Sequence, residues 1–176
     1  QQTVGGNARF ADDYLRPFLD GRYDHHILEL SPGGGRFTAE LIRYAQRIDL
    51  LDMNQACLDI CEERFKYLPI EIGLYVNDGR SCQMLSGQSY SLIASYDSMV
   101  HMHPEVIQGY VEQFASLLID GGILWLDHSG KGARETGHRT AMTDKLMAEI
   151  GLANGMTLVA QSFRNDYDCI SVFRKG

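Results

Sequence analysis

The chain has 176 residues, 44% hydrophobic and 22% charged, with 18 Gly and 4 Pro, which predicts one domain around a sizeable core and excludes collagen-like, disordered and repeat-array chains. Sixteen Lys and Arg against 23 Asp and Glu give a net charge of -7, and no run of more than two basic residues occurs, so no nucleic-acid partner is expected. No stretch approaches the ~20 apolar residues of a membrane span and no signal pattern opens the chain, so the reading is no membrane and a cytoplasmic location.

In chain order, residues 10–19 are expected to form a capping helix whose apolar side carries Leu15, Phe18 and Leu19, with 1–24 as an N-terminal cap. His26 to Leu30 reads as a buried strand, Phe37 to Gln46 as the helix after it and Ile48 to Leu51 as a second strand. A helix follows from Gln55 to Tyr67, with Asn54 as its N-cap. Gly73 to Val76 and Tyr90 to Ser95 read as strands three and four, separated by the turn chemistry of Asn77-Asp78-Gly79 and Ser86-Gly87. Pro104 opens an amphipathic helix that Asp120-Gly121-Gly122 ends. Ile123 to Leu126 is strand five, and Ala141 to Ala153 a helix closed by Asn154-Gly155.

Strands alternating with helices imply βαβ units and a mainly parallel sheet. Thr157 to Phe163 and Cys169 to Arg174 break the alternation: with no helix between them, they form an antiparallel hairpin at the C-terminal end. No internal repeat or linker appears, so 1–176 reads as one domain. Residue 1 is not read as a natural start, because the sequence opens without Met. Cys57, Cys61, Cys82 and Cys169 fit neither a disulfide framework nor a zinc pattern.

The strongest local signal is Ile27-Leu28-Glu29-Leu30-Ser31-Pro32-Gly33-Gly34-Gly35-Arg36, an apolar strand running into a glycine turn that opens a helix. Such a turn lets backbone N–H groups approach a ligand closely. Asp52 ends the next strand, at the spacing where a carboxylate takes the ribose hydroxyls of a nucleoside cofactor. The turn lacks the G-x-G-x-x-G order of a dinucleotide site, and Glu29 would repel a pyrophosphate while suiting a cationic amino-acid moiety.

Here the sequence resembles the class I S-adenosylmethionine-dependent methyltransferases, whose first motif is E/D-x-G-x-G-x-G and whose second strand ends in an acidic residue. Asp78-Gly79 is similar to the family's adenine-side loop, Leu92 to Ser95 to its fourth strand, and Leu117 to Gly122 to its entry into strand five. Ser31 stands where the first glycine would and Asp120 where a proline would; neither change removes a ligating side chain. The resemblance implies an α/β, Rossmann-like doubly wound fold: a mainly parallel seven-stranded sheet with an antiparallel C-terminal hairpin and helices on both faces. It implies S-adenosylmethionine as cofactor, with Glu29 near the methionine ammonium and Ser31, Gly33 and Gly35 bringing backbone to it. It also implies Asp52 on the ribose, Asp78 and Gly79 at the adenine, and Tyr96 flanking the cofactor after strand four. Met53 would pack on the adenine or serve as a core methionine.

Methyl transfer needs an acceptor held in line and, for a hydroxyl, a base. Histidine accepts a proton near neutrality, which makes His128, directly after strand five, the first choice and His101 the second. Asp97 would orient a histidine or an acceptor hydroxyl, or cap the segment before Pro104. His103 reads as part of a helix start. Residues 129–140 read as an active-site loop, or equally as a solvated connector. Within it His138 and Arg139 are substrate-binding candidates, similar to a bacterial subgroup associated with sugar and polysaccharide modification. No metal is expected. The leading expectation is O-methylation of a small-molecule or glycan hydroxyl. N-methylation, a nicotinamide-dependent oxidoreductase and a non-catalytic cofactor-binding domain are the alternatives. Oligomeric state is not legible.

Overall fold

The computed structural model describes residues 4–133 and 139–176. Helix α1 (Val4–Tyr14) leads through a 3-10 turn (Arg16–Phe18) to strand β1 (His25–Leu30). A single helical turn, α2 (Thr38–Leu41), and a 3-10 turn (Ile42–Tyr44) then precede β2 (Ala45–Asp52). After α3 (Gln55–Phe65) come β3 (Glu71–Val76), β4 (Tyr90–Ser95), α4 (Pro104–Leu117), β5 (Leu118–Ser129), α5 (Asp144–Ala153), β6 (Met156–Phe163) and β7 (Asp168–Lys175). One seven-stranded sheet results, in the order β3-β2-β1-β4-β5-β7-β6. The first five strands in that order pair parallel, while β7 runs antiparallel to both β5 and β6, the fold class and C-terminal hairpin expected.

Alternation along each strand explains the two layers of core. Leu28, Ile93, Leu124, Leu126 and Phe173 point to the face covered by α4 and α5, where Ile107, Tyr110, Phe114, Met147 and Ile150 meet them. Ile27, Leu92, Ala94, Trp125 and Val172 point the other way, onto Ala11, Leu15 and Leu19 of the N-terminal segment and Leu58, Cys61 and Phe65 of α3. Both faces are dry, as mainly parallel sheets require. Trp125, wholly buried, donates its indole N–H to the Tyr14 carbonyl at 2.8 Å, which pins the end of α1 to the sheet.

Several boundaries differ from the pattern reading, each for a local reason. The helix expected over Phe37 to Gln46 shortens to α2 and its 3-10 turn, because the chain turns extended at Ala45 to extend the β1–β2 ladder. Strand five is longer at both ends than Ile123 to Leu126. Its Asp120-Gly121-Gly122 stretch, expected to end the helix, lies inside the strand at a register shift opposite Tyr90 and Leu92, with Gly121 at φ +76°. Asn54 caps α3, accepting from Ala56 N–H at 3.0 Å, as its side chain predicts. The cap of α5 is Thr143, which accepts from Leu146 N–H at 3.1 Å, so that helix begins three residues after Ala141. The N-terminal helix sits earlier than residues 10–19, but Leu15 and Leu19 are buried as expected.

Because β1 is flanked by β2 on one side and β4 on the other, successive crossovers leave it in opposite directions. Above its carboxyl end they part and open a crevice, the place where open α/β sheets bind ligands.

Candidate active site

The glycine turn forms one wall of that crevice. Ser31 takes φ +56°, the left-handed conformation a glycine would adopt without strain, and Gly33 and Gly35 follow at +54° and +76°. Serine therefore keeps the turn geometry of the motif it departs from, at a cost of about 1 kcal/mol, with its N–H bonded to the Leu51 carbonyl at 2.7 Å. A Cβ on Gly35 would lie 2.6 Å from the Phe65 ring, so α3 packs directly on the turn. From α3, Arg64 donates to the Gly34 carbonyl at 2.8 Å and the Cys61 thiol to that of Gly33 at 3.2 Å. Above Gly33 a Cβ would meet nothing within 4 Å; the turn is open on its outer side.

Three acidic residues surround the turn. Glu29, 1% exposed, accepts the Thr38 hydroxyl at 2.5 Å. Burial pushes its carboxyl up to about 8, and the charge of Asp52 acts in the same direction. Asp52 accepts from Gly33 N–H at 3.3 Å and from Asn54 N–H at 2.9 Å, tying the turn to the start of α3. The third is Asp78, on the exposed loop after β3. Its Oδ1 accepts from the N–H groups of Arg80 and Ser81 at 2.9 and 2.7 Å, and these bonds, Arg80's first, hold its carboxyl below the usual range. Met53 is 66% exposed and its sulfur would lie 3.6 Å from a Cβ on Gly79. It is therefore a surface methionine beside the Asp78-Gly79 loop, and the core alternative falls.

The far wall is an alternating network of charge. Asp97, at φ +56°, pairs through one oxygen with Arg36 of the glycine turn at 2.7 Å and through the other with Arg164 at 2.9 Å. Arg164, from the β6–β7 turn, also binds Asp127 at 2.8 Å and Asp168 at 3.2 Å. Asp127 accepts the backbone N–H of Asp97 at 2.9 Å. Arg139 grips Asp168 with two parallel bonds of 2.6 and 2.7 Å, the strong fork geometry. Burial pushes the Asp127 carboxyl up to about 6, with Arg164 opposing. For Asp168 burial acts upward too, but the bonds from Arg139 and Asn165 hold its carboxyl below the usual range. The guanidinium groups of Arg36 and Arg164 lie 5.2 and 5.3 Å from the Tyr96 ring centre, and the ring packs at a tilt against Phe10 and Phe37.

His128 corrects the first choice of base. It is wholly buried, with Nδ1 2.8 Å from the Ser129 carbonyl and Nε2 2.7 Å from the Ser171 hydroxyl. A carbonyl only accepts, so Nδ1 carries the proton and Nε2 accepts from Ser171. Burial drives its pKa down to about 4. Both nitrogens are occupied inside the sheet, because His128 shares the inward parity of Leu124 and Leu126. His101 instead sits exposed on the 3-10 turn (Met99–His101) beyond β4. His103 stands at the N-cap position of α4 without a side-chain cap bond. Among the described residues Asp97 neither caps that helix nor bonds to a histidine: both its oxygens lie on arginines. Arg139 is committed to Asp168, which revises its assignment as a substrate ligand, and His138 lies outside the described residues. Among the described residues no three His, Cys, Asp or Glu side chains are placed to hold a metal ion.

Asp127, Arg164 and Arg36 were not singled out from sequence. Asp127 was legible in principle: it shares the parity of Trp125, and a carboxylate at a buried strand end needs a cation. The position of that cation, 37 residues later in a hairpin turn, was not.

A methyltransferase-domain family model matches residues 27–122, the span from β1 through the glycine turn and acidic strand ends into β5. The chain belongs to this family and is a methyltransferase. Among solved structures it resembles an S-adenosylmethionine-dependent methyltransferase from Clostridium acetobutylicum (TM-score 0.79, 12% identity, covering 99% of this chain and 92% of the other). It also resembles CalS10, an amino pentose methyltransferase from Micromonospora echinaspora (0.75, 14%, 99% and 92%). A third is the N-methyltransferase NodS from Bradyrhizobium japonicum in complex with S-adenosyl-L-homocysteine (0.75, 18%, 95% and 86%). At these identities the likeness is one of fold. No curated protein matches the sequence.

Proposed function

We propose that the chain transfers the methyl group of S-adenosylmethionine to a hydroxyl of a small molecule or sugar, with His101 as the general base. The observation that carries the cofactor reading is the placement of Glu29, Asp52 and the open face of Gly33 around one crevice, in a member of the methyltransferase-domain family. The residues fit such a ligand. Asp52 accepts one bond at each oxygen, which leaves lone pairs for two ribose hydroxyls. Among the described residues Glu29 is a buried carboxyl with no cation paired to it, a place the cofactor's ammonium would fill. Met53 and Gly79 offer an exposed apolar shelf to a purine.

The cofactor supplies an electrophilic methyl on a sulfonium. The protein positions the acceptor and takes up its proton. His101 supports the hydroxyl reading because, unlike His128, it is exposed beyond the end of β4. The Arg36–Asp97–Arg164 network keeps the wall beside it rigid and electrically balanced, which suits an uncharged polyol more than an ion.

Calorimetric titration with S-adenosylmethionine, S-adenosylhomocysteine and NADH tests the cofactor. We expect binding of the two sulfur nucleosides alone, weakened roughly 10- to 100-fold by Asp52→Ala, the loss of a hydrogen bond to a charged group. Binding of NADH alone would overturn it. For the acceptor, a panel of sugars, phenols and amines is assayed on wild type and His101→Ala. Turnover of amines only, or an unchanged rate in His101→Ala, rejects the hydroxyl mechanism.

A further inference from the structure

Thr38, the first residue of α2, is wholly buried, and its hydroxyl donates to Glu29 Oε2 at 2.5 Å. Glu29 lies near the end of β1 and Thr38 at the start of α2, so this bond joins the two segments that enter and leave the glycine turn. The methyl-transfer reading uses Glu29 and leaves Thr38 without a task.

The ordinary uses of a threonine at a helix start are not taken up here. The N-cap of α2 is Phe37, and no side-chain cap bond forms. A threonine in a helix can also return its proton to the carbonyl four residues back. That carbonyl is Gly34, and it accepts from Arg64 at 2.8 Å. The hydroxyl has one proton to give, and it goes to Glu29.

Glu29 is 1% exposed. Burial pushes its carboxyl up to about 8 and the charge of Asp52 adds to this, while among the described residues the Thr38 bond is what opposes them. A hydrogen bond to a carboxylate is stronger than one to a neutral carboxyl, so losing it penalises the charged form more than the neutral one. The charged form is the one an ammonium requires.

We propose that Thr38 is a positioning residue for the cofactor: its hydroxyl fixes Glu29 beside the glycine turn and favours the carboxylate that meets the ammonium of the methionine moiety. This rests on the methyl-transfer reading. Thr38 acts through Glu29 rather than on the ligand itself.

The test compares Thr38→Val, which keeps the shape and loses the hydroxyl, with Thr38→Ser, which keeps the hydroxyl. Thr38→Ala, which also lacks it, repeats the reading without the second methyl of valine. The Glu29 side-chain carboxyl is titrated by carbon NMR in the free protein, and S-adenosylhomocysteine affinity is measured by calorimetry on either side of the Glu29 midpoint. In Thr38→Val the midpoint should lie above the wild-type one, and affinity at neutral pH should fall about tenfold, the loss of one hydrogen bond to a charged group. That loss should shrink as pH rises through about 8, because Glu29 then ionises without help. The ratio of variant to wild type at each pH cancels the titration of the ligand. Thr38→Ser should stay near wild type in both readings. A hydroxyl that only stapled the turn would lower affinity by the same factor at every pH and leave the midpoint in place, and that result overturns the proposal. If the wild type binds no S-adenosylhomocysteine, the methyl-transfer reading fails and the proposal falls with it. If it binds, and Thr38→Val leaves midpoint and affinity unchanged, the proposal alone falls.

Discussion

Glu29 shows how much one buried carboxyl decides. Its folded pKa of about 8 lies above the ordinary 4.5 because burial disfavours the charge. A group raised in this way contributes stability that is full below its unfolded pKa and is lost as pH rises through about 8. At pH 7 the free protein therefore holds Glu29 mostly protonated. A ligand ammonium placed beside it stabilises the carboxylate, so cofactor binding at pH 7 should release a proton. Calorimetry of S-adenosylhomocysteine in buffers of different ionisation enthalpy measures this: the release should approach one proton near neutrality, fade as pH rises through about 8, and vanish in Glu29→Gln. The placing of Glu29 and Asp52 beside the glycine turn was readable from sequence, because both close a strand that runs into or past that turn. His128 was misread, because a histidine ending a strand looks identical in sequence whether its face of the sheet is open or covered.

Between elements, the contact of α3 with the glycine turn carries the site. Gly35 combines a left-handed φ with an approach in which any Cβ would press on the Phe65 ring at 2.6 Å. Gly35→Ala should therefore destabilise the fold by about 2 kcal/mol or more, the sum of backbone strain and overpacking, and lower cofactor affinity together with it. Urea denaturation and calorimetry read the two effects; an alanine variant with wild-type midpoint and affinity would show that the helix does not brace the turn. The alternation of strands and helices was visible in hydrophobic period, as were the cap of α3 and the start of α4 at Pro104. What period could not show is where a helix yields to a neighbouring ladder, as at Ala45, or where a strand runs through Gly121 and Gly122, because hydrogen bonds to another segment decide both.

In the whole molecule, charges far apart in sequence converge above the sheet. Arg164 is 13% exposed and meets three carboxylates, two of them wholly buried. Removing one partner of a buried pair leaves an uncompensated charge, so Arg164→Gln should cost about 3–5 kcal/mol, with the added loss growing as pH rises through about 6, where Asp127 ionises. Chemical denaturation between acid and neutral pH tests this; an equal loss at both ends would mean Asp127 keeps its charge by other means. The amino-acid order alone was enough to set the layer architecture, the C-terminal hairpin, the glycine turn and the acid that follows it, because these rest on periodicity and on chemistry within a few tens of residues. Which side chains face the crevice, which are walled in, and which arginine neutralises which aspartate emerged only once the strands were side by side, since burial and ion pairing are properties of distance in space and no local pattern encodes them.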